Sequence, residues 1–308
     1  MPTPIQTLEN TLLPFAFQKK EVIRLLLIAL CIKGHILIED LPGVGKTTLS
    51  KAFAKSIGRV FSRIQGTSDT LPQDIVGGEV FDQKTNVFAL RKGPLFAEVV
   101  LIDEINRMHP KTQSAFLEAM EERQISIGGK AYALPKIHLI LATQNPLEYD
   151  GTYPLPEAQR DRFLFSLAIG IPPISIQNHI FCNPQASDVM ESIREITPLI
   201  SEAEILELQK SVLQVHCDAG IAEKYLQFGE WTRDPHIFRY GLSLRSLSLL
   251  SLSLRANAFL EGRDFVIPED GKDLIVPFCT HRIEVLNQSL LPHQIHEMIE
   301  TKFHEIVG

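Results

Sequence analysis

The segment Leu37–Leu49 constrains this chain more than any other. It reads Leu-Ile-Glu-Asp-Leu-Pro-Gly-Val-Gly-Lys-Thr-Thr-Leu. An apolar strand runs into a tight turn holding Gly43 and Gly45, and then into a helix that opens with Lys46 and Thr47. A strand, glycine loop and helix in that order turn backbone N–H groups inward. The helix N-terminus adds its partial positive charge, and the result is an anion cradle. A lysine there can reach the outer phosphates of a nucleotide, and a hydroxyl can reach a divalent cation. The full pattern G-x-x-x-x-G-K-[ST] asks for glycine at position 40, where this chain has Asp40. The two remaining glycines still permit the bend. A chance glycine-rich turn is the competing reading, and the flanking strand and helix count against it.

A second segment supplies what the first lacks. Val99–Glu104 reads Val-Val-Leu-Ile-Asp-Glu. Four consecutive apolar residues predict a central parallel strand covered on both faces. Its C-terminal end carries two carboxylates, at the sheet edge where open α/β sheets bind ligands. Asp103 is placed to hold a divalent cation, directly or through water. Glu104 is placed to polarise an attacking water as a general base. The bland alternative is an acidic pair capping the next helix, and the nearby Lys46-Thr47 pair argues against it.

The 308 residues predict two domains. Lys and Arg number 30 against 37 Asp and Glu, so bulk charge disfavours non-specific nucleic-acid binding. Cys31, Cys182, Cys217 and Cys279 lie far apart, with neither zinc-ligand nor disulfide-framework spacing, which fits a reducing compartment. The longest apolar run, Leu25–Ile32, is too short to span a bilayer. No secretory leader pattern is visible, so a cytoplasmic location is expected.

Apolar strands predicted at His35–Glu39, Val60–Gln65, Val99–Asp103 and Lys136–Thr143 alternate with helices at Lys19–Ile32, Lys46–Ile57 and Pro110–Arg123. That order predicts an α/β fold with a doubly wound parallel sheet. Two hairpins interrupt it. One has arms Val80–Asp82 and Val87–Leu90, preceded by a short helix over Leu71–Ile75. The other is Gln124–Leu134 around Gly128-Gly129. Pro172, Pro173 and Pro184 mark Gly170–Gln185 as a helix-poor linker. The expected division is a nucleotide-binding core over 1–170, a linker over 171–189 and a smaller all-α domain over 190–308. Within that last part, Ser201–Glu204 reads as a capping box, and Asp218–Arg233 and His281–Val307 read as helical. Leu242–Leu254 nearly alternates Leu and Ser, a strand pattern, but a lone strand in a helical domain has no partner; a helix is predicted.

Other residues join the candidate site. Asn145 ends the strand before Pro146, where it can contact a phosphate or the attacking water or simply start a turn. Arg160 and Arg162 stand at a helix end, and Arg245 lies in the Leu/Ser segment; each could equally be a solvated surface arginine.

As a set these strings resemble the MoxR family of AAA+ ATPases over about Gln18 to Ile283. The carrying text is Glu39–Thr48, then Asp103-Glu-Ile-Asn-Arg107, then Pro110-Lys-Thr-Gln-Ser-Ala-Phe-Leu-Glu-Ala-Met-Glu121. Ala142-Thr-Gln-Asn-Pro146, Gly151-Thr-Tyr-Pro-Leu-Pro-Glu-Ala-Gln159 and Phe259-Leu-Glu-Gly-Arg-Asp264 follow. The resemblance implies a P-loop AAA+ core with an all-α lid, and ATP with Mg2+ as ligands. It implies nucleotide contacts from Asp40, Pro42, Gly43, Val44, Gly45, Lys46, Thr47, Thr48 and Asp103, with Thr47 and Asp103 serving the metal. Glu104 is then the catalytic base and Asn145 the sensor on the neighbouring strand. Arg162 is the finger acting on a neighbouring subunit's nucleotide, with Arg160 as second candidate, and Arg245 is the sensor arginine of the lid. The family also implies a hexameric homo-oligomer, a partner with a von Willebrand factor A (VWA) domain, and a chaperone-like role on a client protein. The two hairpins correspond to inserts that face a client or pore in related machines. Four positions depart from the family pattern: Phe17 replaces Gly, Leu244 replaces Pro, Gly271 stands where an apolar residue is common, and Arg160 stands where Leu is typical. A nucleotide-gated scaffold with little turnover and a nucleic-acid translocase are the alternative functions. Few basic residues in the hairpins speak against the translocase.

Overall fold

The structure is a computed structural model, and it describes residues 3–83, 86–146, 151–182, 189–287 and 289–308. Strands are numbered in chain order: β1 Ile36–Glu39, β2 Phe61–Gln65, β3 Gly77–Asp82, β4 Val87–Lys92, β5 Val99–Asp103, β6 Gln124–Ile127, β7 Lys130–Ala133, β8 Leu139–Gln144, β9 Phe165–Leu167, β10 Phe238–Tyr240 and β11 Glu284–Val285. The chain forms two compact units, neither continuous in sequence. The first comprises Met1–Ile23, His35–Leu155 and Leu167–Glu202, and the second Arg24–Gly34, Pro156–Ser166 and Ala203–Gly308.

The main sheet has the order β2-β5-β8-β1-β9. β2 pairs with β5, β5 with β8 and β8 with β1, all parallel. The unbroken apolar runs of β5 and β8 are almost wholly buried, as expected for central strands covered on both faces. β2, at the edge, is buried only at Ile64, and so tolerates Arg63 and Gln65 at its C-terminal end. Register sets Gln65 opposite Asp103 and Thr143 opposite Ile38. The C-terminal ends of β1, β2, β5 and β8 therefore converge on one edge.

Both hairpins form as two-stranded antiparallel ladders, β3 with β4 and β6 with β7. The first is longer than its apolar residues suggested, because Gly77, which ends the preceding helix Pro72–Val76 as its C-cap, also begins β3. Glu79 joins the two hairpins. Its carboxylate takes an ion pair from Lys130 Nζ at 3.3 Å and faces Tyr132 Oη at 3.5 Å.

The linker expectation needs correction. Ile174–Cys182 is a helix, because Pro172 and Pro173 precede its first turn rather than interrupt it. Pro184 lies outside the described residues.

In the second unit, Leu244–Leu260 is helical as predicted. Ser243 caps it by accepting from the Ser246 N–H, while Ser253 turns its hydroxyl back onto the Leu249 carbonyl. Ser243 and Ser253 thus make bonds within the helix, and the alternation carries no strand. Leu244 is its first residue, a position where proline is also tolerated, so the departure leaves the helix start intact. Gly271 is explained by packing: a Cβ there would stand 2.3 Å from the Tyr225 hydroxyl. Tyr225, Phe228, Trp231, Phe238 and Phe303 form the aromatic core of this unit. His281–Val307 is not one helix. Glu284–Val285 pairs with Phe238–Tyr240, and the helix starts only at Pro292. The proline supplies the start signal that the periodicity hid. Among the described residues, no helix is long and apolar enough to cross a membrane.

Candidate nucleotide site

An open cavity of about 350 Å³ lies in the first unit at the C-terminal edge of the parallel sheet. Its lining includes Pro42, Gly43, Gly45, Lys46, Thr47 and Thr48 from the loop and helix start. Arg63 and Gln65 come from β2, Asp103 and Glu104 from the end of β5, and Thr143 and Asn145 from the end of β8.

The loop is shaped by Gly43 and Gly45, at φ +86° and +82°, a region open to glycine at no steric cost. Gly45 caps the helix Lys46–Ser56 without a side-chain acceptor, so no side chain serves the first N–H groups at that cap. Asp40 is buried and its carboxylate turns away from the cradle. Oδ1 accepts from the Leu41 N–H at 2.9 Å and Oδ2 from the Gly170 N–H at 2.6 Å. Asp40 thus braces the loop, and the position does not require glycine. Phe17 adopts φ +52°, the conformation its family glycine would take freely. Its ring tip reaches to 3.5 Å from where a Cβ on Gly45 would stand.

Lys46 folds back onto its own loop, donating to the carbonyls of Asp40 at 2.8 Å and Leu41 at 3.1 Å. Burial pushes its ammonium below the ordinary lysine value, while Asp40, Asp103 and Glu104 pull it back up. A phosphate in the cavity would replace the two carbonyls and restore full charge compensation.

The carboxylates are held by a polar lattice across three strands. Thr143 Oγ1 donates to Asp103 Oδ1 at 3.1 Å and accepts from the Glu104 N–H at 3.0 Å. Arg63 Nε donates to Asp103 Oδ2 at 2.7 Å, and its Nη2 to Gln65 Oε1 at 2.9 Å. Gln65 Nε2 in turn donates to Glu104 Oε2 at 2.8 Å, and Arg107 Nε forms an ion pair with the same oxygen at 3.3 Å. Glu104 itself sits at φ +57°, ψ +51°. A non-glycine residue there stores roughly 1–3 kcal/mol of backbone strain, a feature that clusters at functional sites.

Lys46, Thr47, Asp103, Glu104 and Asn145 are therefore brought to one cavity. Arg160, Arg162 and Arg245 belong to the second unit. There Asp161, between the two arginines, accepts from Ser243 Oγ at 3.2 Å and Ser246 Oγ at 2.7 Å, at the N-terminus of the helix carrying Arg245. Arg63, Gln65 and Thr143 were not anticipated. Their signal was the alternation of polar residues at a strand's C-terminal end, which puts Arg63 and Gln65 on one face.

Thr47 and Asp103 offer a hydroxyl and a carboxylate, hard oxygen donors that suit Mg2+. Among the described residues no cluster of three or more His, Cys, Asp or Glu could hold a metal alone. Two protein oxygens with phosphates completing the shell are the usual arrangement for Mg2+ at nucleotide sites.

A parallel sheet with a glycine-loop helix, paired carboxylates and a helical second unit defines a P-loop ATPase of the AAA+ class. Residues 35–165 match the family described as ATPase family associated with various cellular activities (AAA), and residues 232–303 match the AAA lid domain. The chain is 41% identical over 288 residues to the uncharacterized protein YeaC of Bacillus subtilis, covering 94% of this chain and 85% of that one. It is 36% identical to the chaperone MoxR1 of Mycobacterium tuberculosis, covering 89% and 74%. A crystal structure from Cytophaga hutchinsonii, of a protein given provisionally as an ATPase, superposes with TM-score 0.81 at 32% identity, covering 97% and 96%. The chain belongs to the MoxR family of AAA+ ATPases.

Proposed function

We propose that this protein binds Mg2+·ATP in the cavity of the first unit and hydrolyses it as a ring-forming, chaperone-like ATPase. The observation that carries this reading is the convergence of Lys46, Thr47, Asp103, Glu104 and Asn145, from three separate segments, on one cavity at the sheet edge. Lys46 and the helix N-terminus bind phosphate, while Thr47 and Asp103 hold the metal. Glu104 accepts the proton of the attacking water, and Asn145 orients that water or the γ-phosphate. Arg162 completes a neighbouring subunit's site, and Arg245 senses nucleotide from the lid. Hydrolysis then drives remodelling or maturation of a client complex beside a VWA-domain partner. The exposed Phe81 and Phe88, paired on the first hairpin with ring centroids 5.2 Å apart and planes tilted by 59°, suit an apolar client segment.

Glu104→Gln tests the catalytic reading. It keeps charge-independent contacts and metal binding but removes the base, so nucleotide affinity stays while turnover falls by roughly 10²–10⁴-fold. Wild-type protein that binds ATP without measurable turnover would support the nucleotide-gated scaffold instead. The pinning of Glu104 by Gln65 and Arg107 gives that second reading its footing.

A further inference from the structure

Arg63 lines the cavity and is a cation with no part in the hydrolysis proposed above. It stands on β2, an edge strand, with its side chain about half exposed, and its guanidinium enters the same space as Lys46 and Thr47. Its partner is the carboxylate expected to serve the metal: Nε to Asp103 Oδ2 at 2.7 Å. The other carboxylate oxygen, Oδ1, is already taken by the Thr143 hydroxyl. Both oxygens of Asp103 therefore have a donor.

The electrostatics explain why such a cation is needed. The Asp103 side chain is 10% exposed, and Glu104 follows it directly. A nearly buried carboxylate beside a second one is costly without a positive neighbour. Lys46 does not hydrogen-bond it, since its ammonium faces the Asp40 and Leu41 carbonyls. Arg63 supplies the charge. A divalent cation arriving at the same carboxylate meets that guanidinium a few ångström away, and two cations at such a distance repel. One must leave, and the half-exposed arginine has solvent beside it.

We infer that Arg63 is a resident counter-ion that competes with the divalent metal for Asp103. In the nucleotide-free site it neutralises the carboxylate. When metal and nucleotide enter together it gives Asp103 up and turns to the added phosphate charge. This inference rests on the nucleotide reading above. It adds that the chain's own residue sets how strongly nucleotide binding depends on metal.

The test is nucleotide affinity in the full chain, followed by anisotropy of a fluorescent ADP analogue with Mg2+ and with EDTA at constant ionic strength. The readout is the ratio of the metal-free Kd to the Mg2+ Kd. Arg63→Gln removes a cation that helps in the absence of metal and competes in its presence. The ratio should therefore rise, by roughly two- to fivefold on the scale of a partly exposed ion pair. Arg63→Lys keeps the charge and should return the ratio towards wild type. A ratio unchanged or lowered in Arg63→Gln overturns the competition while leaving nucleotide binding standing. Wild-type protein that binds the analogue under neither condition overturns the nucleotide reading and this inference with it. Arg63 lies on an exposed strand face, so the variant is expected to fold, and an unchanged thermal melt verifies it.

Discussion

Arg282 Nε meets Asp161 Oδ1 at 2.8 Å, with the arginine side chain only 1% exposed. The rest of that guanidinium is spent on backbone. Nη1 donates to the carbonyls of Leu164 at 2.9 Å and Phe278 at 2.6 Å, and Nη2 to Phe163. Burial lowers its pKa to about 10 against the opposing pull of Asp161, so it stays charged at neutral pH. Asp161 separates Arg160 from Arg162 and also receives the two serines that start the Arg245 helix. One buried ion pair thus fixes the turn bearing the candidate finger and the helix bearing the candidate lid sensor within a single unit.

Removing one partner of that pair should be expensive. Arg282→Met leaves Asp161 without its cation and takes a donor from several carbonyls, and breaking a buried pair in this way costs up to about 3–5 kcal/mol. Urea unfolding of the second unit measures it. Adding Asp161→Asn should recover part of the loss, because the uncompensated charge goes; no recovery would mean that the carbonyl contacts, not the ion pair, dominate.

Arg162 is proposed to act on a neighbouring subunit. Arg162→Ala and Lys46→Ala proteins, each nearly inactive alone, should regain ATPase activity when mixed, since a mixed interface can hold one complete site. A finger contributes roughly 10³–10⁵ in kcat, so even partial rescue is visible. Rings shown to be mixed yet inactive would place Arg162 outside the mechanism, and Arg160→Ala is the parallel control.

His138 makes a pH prediction. It is buried, and desolvation pushes its pKa from 6.5 down to about 4, with the Arg123 charge adding to the effect and the bond from Nδ1–H to the Ala97 carbonyl opposing it. Between pH 6.5 and 4 the unfolded chain binds a proton at this residue that the folded chain does not. Its contribution is full above pH 6.5 and is lost as pH falls through that window, amounting to about 3 kcal/mol. His138→Asn should therefore flatten the stability profile below pH 6.5. Parallel wild-type and variant profiles from pH 7 to 4.5 would show that His138 is not the titrating group.

The hairpins are expected to touch a client or partner. Phe81→Ser with Phe88→Ser removes the exposed aromatic pair without reaching the cavity. Basal ATPase should persist, and stimulation by client or VWA-domain partner should be lost. Stimulation at the wild-type level would make the pair merely a hairpin stabiliser.

Some of this protein was readable from local text alone. Gly43, Gly45, Lys46 and Thr47 are contiguous, and the positive φ of the two glycines is a local property that spacing reveals. The apolar run ending in Asp103-Glu104 likewise declares both its strand and its edge. The MoxR resemblance followed from these strings together. Tertiary structure decided the rest. Arg63 and Asp103 are 40 residues apart, and only the β2–β5 register brings the guanidinium to the carboxylate. Asp161 and Arg282 are 121 apart, and nothing near either residue announces a buried pair. Asp40 departs from the general loop pattern in its own neighbourhood, and only the fold brings the Gly170 amide, 130 residues on, to its carboxylate. Backbone bends and apolar periodicity are short-range and written in neighbouring residues. The partner of a charged side chain is chosen by where burial leaves it no water.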